Sequence, residues 1–287
     1  MFERGGRRQE PNDVAMRGNA LTQARRVGNL VKHQALKQIR LRRGASRASR
    51  AAFDELLDEH ATGHDEVFVH AGLGDVKDAF DTDPYRFLLG RLEERFESIL
   101  APGFTDYFTV SGVYHKRFSR PKHGAFVRQF HQDADYRTDD AIKSVLVKGP
   151  YRFDDCVHRE TYHEEGCFAQ LVREGTLLLN VGTPWFTCSH LHYLEAKHDV
   201  PYVETRTHEG IIYRTPTEYE RTEQTYETLV SPLYSWNKPK IMRRLRRAGA
   251  LSAYDLNGLN VYVSRLDEVV TVLGAELRED PYYLVTL

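Results

Sequence analysis

The sequence predicts an α/β protein, because segments with helical periodicity alternate with short strand-like runs along residues 51–287. One of those runs, TLLLNV at 176–181, is apolar almost throughout. Such a run suits a strand covered on both faces, and Gly182, Thr183 and Pro184 close it as a turn. No internal period of repeat-protein length interrupts the alternation.

The elements follow in chain order. Residues 53–60 read as a helix and 66–70 as a strand. Over 84–100, Phe87, Leu88, Leu92, Phe96 and Leu100 lie near helical spacing, which predicts one amphipathic helix. Residues 104–114 are rich in Phe, Tyr, Thr and Val and read as a strand. A short helix at 126–130, a strand at 144–147 and a helix at 166–173 lead to the strand at 176–181. The next helix begins near Thr187 or Ser189, whose hydroxyls suit the free amides of a first turn, and Pro201 limits its far end. Beyond it, 211–214 reads as a strand, the glutamates of 219–229 suit a solvated helix face, and 238–248 forms a basic helix. A strand at 259–264 and a helix at 266–273 complete the series.

Composition narrows the class. Hydrophobic residues make 41% of the chain and charged residues 28%, which is ordinary for a soluble globular protein. No stretch approaches the roughly 20 apolar residues of a membrane span, and the N-terminus lacks an apolar secretory core, so a cytoplasmic location is expected. Cys156, Cys167 and Cys188 are odd in number with no close Cys-x-x-Cys spacing, which predicts neither a disulfide framework nor a zinc site.

Charge divides the chain in two. Residues 1–50 hold 13 basic residues against Glu3, Glu10 and Asp13, a net +10, whereas the remainder carries −11. We therefore expect a basic N-terminal extension over 1–50, partly disordered, ahead of one α/β domain over 51–287. Val27, Leu30, Val31, Leu36 and Ile39 give the extension a weak helical stripe. That stripe favours packing on the acidic body, or on a second copy in a homodimer. Binding to nucleic acid or an anionic membrane is the alternative, and no nucleic-acid motif accompanies the charge.

The strand at 176–181 and the helix after it place His192 in a first helical turn, where the positive end of the helix disfavours imidazolium, with Glu195 three residues on along the same face. Loops beyond the carboxyl ends of strands are where open α/β sheets put active sites. On periodicity alone a histidine of this kind is most often a satisfied, half-buried residue. Four strings add to it. SHLHYLEAK holds Leu191, His192 and Glu195 in the order L-H-x-x-E; RTDDAIKSVLVKG at 137–149 aligns Arg137, Thr138, Ser144 and Gly149 with R-S-x-H-P-x-x-S-x-x-A-x-G; VFVHAGL holds His70 and Leu73 in a V-H-S-S-L pattern; and YHEEGCF keeps Glu164 and Phe168 of F-G-E-G-S-P-F.

In these four strings, in this order, the sequence resembles the aminoglycoside 3-N-acetyltransferase family, and the ending RLDEVVTVLGAELREDPYYL resembles its cell-envelope amino-sugar members more than its drug-resistance enzymes. There are departures. Asp140-Ala141 stand where the family has His-Pro, and Ala71-Gly72 replace two serines. The resemblance implies a mixed central sheet flanked by helices, an α/β/α sandwich. It also implies an acyl-coenzyme A-dependent N-acetyltransferase with acetyl-CoA as co-substrate and no metal, transferring directly to an amine of an aminoglycoside or related amino sugar. A nucleotide-linked amino sugar of cell-envelope polysaccharide synthesis is the alternative acceptor, and a non-catalytic protein binding through the basic arm is the reading from another class.

The implied roles fall on named residues. An amine is mostly protonated at neutral pH, and an imidazole, with its ordinary pKa of about 6.5, suits removal of that proton. His192 is the candidate general base, with Glu195 and the downstream Glu220 and Glu223, ranked ahead of Glu218 and Glu227, as candidate carboxylates to orient it. Coenzyme A is expected against His70, Ala71, Gly72 and Leu73, with Arg137 and Ser144 beside it; Gly72 and Gly74 permit close backbone approach, and Arg137 offers a planar fork for phosphate. Acidic residues including Glu160, Glu164, Glu165, Glu204 and Glu209 suit a polycationic acceptor, and Lys238, Lys240, Arg243 and Arg244 suit a diphosphate. Two further chemistries compete. Cys167 with His163 is a candidate acyl-accepting nucleophile, and His190, His192 and His198 are candidate ligands of a metal-dependent hydrolase.

Deleting residues 1–13 is expected to leave the melting temperature unchanged, and deleting 1–45 to lower it. Unchanged melting of the longer truncation, with loss of salt-sensitive binding to nucleic acid or anionic vesicles, would instead make the segment a recruitment arm.

Overall fold

A computed structural model describes residues 47–105 and 107–286, so the stripe through Val27, Leu30 and Val31 lies outside the described residues. The centre is a seven-stranded mixed sheet of order β10-β11-β6-β1-β2-β5-β4. Its strands are β1 (Glu66–Ala71), β2 (Ser98–Pro102), β4 (Tyr136–Arg137), β5 (Val145–Lys148), β6 (Leu177–Val181), β10 (Ser252–Leu256) and β11 (Leu259–Arg265). The middle three, β6, β1 and β2, are parallel, and antiparallel strands flank them.

Alternation along the strands fills two layers of core. Phe68, Leu100 and Leu178 are in register and point into one layer, while Val67, Val69, Ile99, Leu177 and Leu179 point into the other. The second layer is closed by α1 (Arg50–Ala61), α2 (Leu73–Phe80), α3 (Pro84–Glu93) and α5 (Ala125–Asp133), which contribute Phe53, Val76, Leu88 and Phe130. The first layer is closed by α6 (Cys167–Arg173), α7 (His190–Lys197), α8 (Lys238–Arg247) and α9 (Leu266–Glu279), which contribute Phe168, Leu194, Leu245 and Leu273. Helices on both faces make the expected α/β/α arrangement.

Local chemistry explains several boundaries. Ser49 caps α1 through its hydroxyl, and Asp83 accepts from the amides of Tyr85 and Arg86 at the start of α3, with Pro84 as the first helical residue. The helix expected over 84–100 stops at Glu93, because the following turn feeds the wholly buried strand β2. Residues 104–114 are not one strand: α4 (Phe108–Ser111) ends at Gly112 with φ of +64°, and β3 (Val113–His115) follows. The largest difference is at 203–229. Instead of a short strand and a helix, β7 (Val203–Tyr213) and β8 (Tyr219–Leu229) form a long antiparallel hairpin, which pairs with β3 in a separate three-stranded sheet. Threonines at 222, 225 and 228 and tyrosines at 219 and 226 favour strand over helix there. A third small sheet pairs β9 (Ser235–Trp236) with β12 (Val285–Thr286), near the end of the chain.

The parallel strands β1 and β6 end side by side. Gly72 donates its amide to the Val181 carbonyl at 2.9 Å, and Gly182 follows with φ of +68°. A Cβ on Gly182 would lie 2.6 Å from the Gly72 carbonyl oxygen. Gly182→Ala is therefore expected to lower stability by roughly 1–3 kcal/mol, through left-handed backbone strain and the backbone collision. A urea midpoint equal to that of the parent chain would show that the close approach is not needed.

Candidate functional site

The carboxyl ends of β1 and β6 open onto the loop 183–189 and the start of α7, and this is where the polar side chains gather. The expected hydroxyl cap on α7 is absent. Ser189 is itself helical, with φ of −68° and ψ of −23°, and its hydroxyl lies 3.4 Å from His70 Nε2 instead. The turn is held by buried Asn180, whose side-chain oxygen accepts the Thr187 amide at 2.6 Å.

His192 is the third residue of α7, and its Nδ1 lies 3.0 Å from Glu195 Oε2. The Glu195 side chain is 0% exposed and that of His192 30%. The second carboxylate oxygen accepts the Trp236 indole N–H at 2.7 Å. An ionised carboxylate only accepts, so the bond to His192 requires a proton on Nδ1, which leaves the Nε2 lone pair available. The rings of Trp236 and Tyr162 flank the imidazole at centroid distances of 4.6 and 5.6 Å. Burial, reinforced by the Glu195 charge, pushes the Tyr202 phenol well above the usual tyrosine range.

Two more imidazoles lie behind this group. His190 is fully buried between the edges of Phe68 and Phe168, and burial together with nearby His70 lowers its pKa to about 3. Burial, with Lys238 adding to it, lowers His70 to about 4. Both are therefore neutral at pH 7. Lys238 itself lies over the Trp185 ring, 4.3 Å from its centroid.

A wall of the site comes from the segment before α6. Buried Asp140 accepts from the amides of Ile142 and Lys143 at 2.8 and 2.7 Å and from the Thr161 hydroxyl at 2.7 Å. Gln224 of β8 accepts the Ala141 amide and donates to the same Thr161 hydroxyl, each at 3.1 Å. These bonds set Tyr162 beside His192. Further along β8, Glu227 is half-buried, and its Oε2 has no hydrogen-bond partner among the described residues. Burial raises the Glu227 pKa and the Asp140 charge adds to this, while neighbouring His192 opposes it.

The remaining sequence candidates fall elsewhere. Glu220 pairs with Arg159 and Arg214, and Glu223 is exposed on the hairpin opposite Glu209; neither bonds to His192, because β8 is a strand that carries them away from α7. Arg137 and Ser144, expected at the cofactor, are buried and bonded to each other at 3.0 Å. The rest of the Arg137 fork donates to the carbonyls of Gly103, Lys116 and Ser119, so it ties loops together rather than facing a phosphate. Around β1, His70 and Ala71 remain partly accessible, Leu73 is buried in the core, and the close approach at Gly72 is to Gly182. Trp236 is not among the sequence candidates. Its signal, an indole N–H in the SWN segment ahead of a basic helix, has no fixed spacing to Glu195.

The three cysteines are free, and two of them meet in space. Cys156 and Cys167, eleven residues apart, place their sulfurs 2.7 Å from each other beside His158. Sequence spacing hides this pair because a folded loop brings its two ends together.

With this geometry in view, comparison with known proteins gives one family. The model described as aminoglycoside 3-N-acetyltransferase matches residues 108–277. No curated protein matches. Among solved structures, aminoglycoside acetyltransferase AAC(3)-Xa is 17% identical, with 86% of this chain and 98% of that one covered and a TM-score of 0.66. AAC-IIIb, solved as a binary complex with CoASH, is 16% identical, with 82% and 97% covered and a TM-score of 0.65. AAC-VIa, solved bound to sisomicin, is 16% identical, with 82% and 98% covered and a TM-score of 0.60. At these identities the likeness is one of fold.

The buried imidazoles make a pH prediction. The folded pKa of His190 is depressed to about 3, whereas an unfolded histidine titrates near about 6.5. Between these values the unfolded chain binds the extra proton, so this contribution to stability is whole above about pH 6.5 and declines as pH falls. His190→Gln is expected to make the acid-side decline between about pH 6.5 and 5 shallower, by up to roughly 1.4 kcal/mol per pH unit. Parallel curves of unfolding free energy against pH would show that His190 is not held neutral.

Proposed function

Because the chain belongs to the aminoglycoside 3-N-acetyltransferase family, we propose that it transfers an acyl group from acyl-coenzyme A to an amine of an amino sugar, with His192 as general base. The observation that carries this reading is the His192–Glu195–Trp236 relay, in which a buried carboxylate fixes the tautomer of a half-exposed imidazole. Nε2 of His192 takes a proton from the acceptor's ammonium, and the freed amine attacks the thioester carbonyl. Collapse of the tetrahedral adduct breaks the carbon–sulfur bond, the proton held by the imidazole passes to the departing thiolate, and the nitrogen of the new amide gives up its extra proton to the freed imidazole and from there to water. Acetyl-CoA is the proposed co-substrate, entering over His70, Ala71 and Gly72 at the end of β1, where the partly accessible residues of that loop lie. Transfer is direct. Cys167 is buried, and its pairing with Cys156 and its burial push its thiol well above the usual range, which is the wrong direction for an acyl-accepting nucleophile.

The acceptor side is read from Glu227. A half-buried carboxylate with an unpaired oxygen close to His192 suits an ammonium group of the acceptor other than the one that reacts. This supports an aminoglycoside or related amino sugar. A nucleotide-linked amino sugar of cell-envelope synthesis is the second reading, supported by the chain's ending and by Lys238 beside His70; Lys240 and Arg244 are drawn instead to Asp280 and Glu276.

His192→Ala is expected to lower turnover by roughly 10²- to 10⁴-fold, the usual worth of a general base, with coenzyme A binding retained. The measurement is thiol release from acetyl-CoA against a panel of aminoglycosides and nucleotide amino sugars. Parent-like turnover in the variant would remove His192 from the mechanism, and no release with any acceptor would remove the acyltransfer reading.

A further inference from the structure

The two cysteines that flank the Tyr162 loop are not used by the proposed acyl transfer. Cys156 is half-buried, Cys167 is buried as the first residue of α6, and their sulfurs lie 2.7 Å apart. The chain between them is already closed on itself. The Val157 amide donates to the Glu165 carbonyl at 2.9 Å, Val157 and Gly166 form a parallel bridge, and Thr161 at the loop's centre is held by Asp140 and Gln224. A covalent link between the ends therefore requires little rearrangement.

We propose that Cys156 and Cys167 form a reversible dithiol–disulfide couple whose partner is a small-molecule disulfide. The Cys156 thiolate attacks one sulfur of the small disulfide, breaking its S–S bond and releasing one thiolate, which takes up a proton. Cys167 then loses its proton and attacks Cys156 Sγ, expelling the second small thiolate, which leaves protonated. Two protein thiols are oxidised and one small disulfide is reduced to two thiols, so atoms and electrons balance.

The division of roles follows from the surroundings. Cys156 is the more accessible sulfur, and the hydrogen bond from Cys167, with His158 adding to it, lowers its pKa against the opposing effect of burial. An accessible low-pKa thiol beside a protected resolving thiol is the arrangement redox-active pairs use.

The same three side chains fit a metal less well. His158 Nδ1 accepts the Asp139 amide at 3.0 Å, and its Nε2 faces the Phe153 carbonyl at 2.8 Å, so neither ring nitrogen is left for an ion. Two thiolates on one tetrahedral zinc, each at about 2.3 Å from it, would stand about 3.8 Å apart. The observed sulfurs are closer. Closing the bond would fix the loop that carries Tyr162, whose ring lies 5.6 Å from that of His192.

The test uses the full chain, reduced, freed of reductant and incubated with glutathione disulfide at neutral pH. Intact mass and iodoacetamide labelling under denaturing conditions are then read. The expected result is a loss of two hydrogens, a fall in labelled thiols from three to one, a linked peptide joining positions 156 and 167, and reversal by dithiothreitol. Cys188→Ser should form the same link, while Cys156→Ser should not. Three labelled thiols, a persistent mixed disulfide on Cys156 or a link through Cys188 would overturn the proposal. So would stoichiometric zinc in the reduced chain that shields Cys156 and Cys167 from labelling. The unsubstituted chain decides these outcomes without depending on how well any variant folds.

Discussion

A carboxylate with no exposed side-chain surface needs partners that hold its charge, because removing an ion from water costs several kcal/mol unless hydrogen bonds replace the lost hydration. Glu195 meets that need with two donors, the His192 ring and the Trp236 indole, one on each oxygen. The consequence runs far along the chain. Trp236 is held on β9 by pairing with Val285 of β12, and the Asn237 amide donates to the Leu284 carbonyl at 2.7 Å. The last turn of the protein thus fixes the indole, the indole fixes the carboxylate, and the carboxylate fixes the imidazole.

The opposite wall depends on a second polar anchor. Asp140 and Ala141 replace a His-Pro pair in the pattern the sequence resembles, and the structure gives both a role in packing. Asp140 gathers two amides and the Thr161 hydroxyl, and the Ala141 amide is free to donate to Gln224 where a proline would have none. The Arg137–Ser144 pair closes the same region from behind by binding three loop carbonyls. Tyr162 reaches His192 because this network sets the loop that carries it.

Electrostatically the site is a mixture of neutral imidazoles and carboxylates. His70 and His190 are kept uncharged by burial, so they add no repulsion toward a cationic acceptor. Glu227 is a further carboxyl near His192, and the His192 charge opposes the burial that raises its pKa. That balance suits deprotonation of an ammonium at His192, where competing positive charge would hinder approach.

Much of the sheet could be read from the chain. The apolar run at 176–181, the turn at Gly182 and the helix that follows are local features, set by periodicity and by residues that only a turn accommodates, so His192 and Glu195 share a helix face by spacing alone. The hairpin was hidden because its many glutamates mimic a solvated helix, and only pairing between residues 203–213 and 219–229 establishes a strand. Glu220 and Glu223 lie away from His192 for that reason, paired with arginines or exposed along the hairpin. Arg137 looked like a phosphate ligand because its surroundings come from residues 103, 116, 119 and 144, which no local pattern links. The sequence by itself determined the alternation, the central strand and the histidine–carboxylate pair, because these depend on neighbours within one turn of helix or one strand. Tertiary structure alone decided what holds the carboxylate and which cysteines meet, because each depends on contacts between separate segments of the chain.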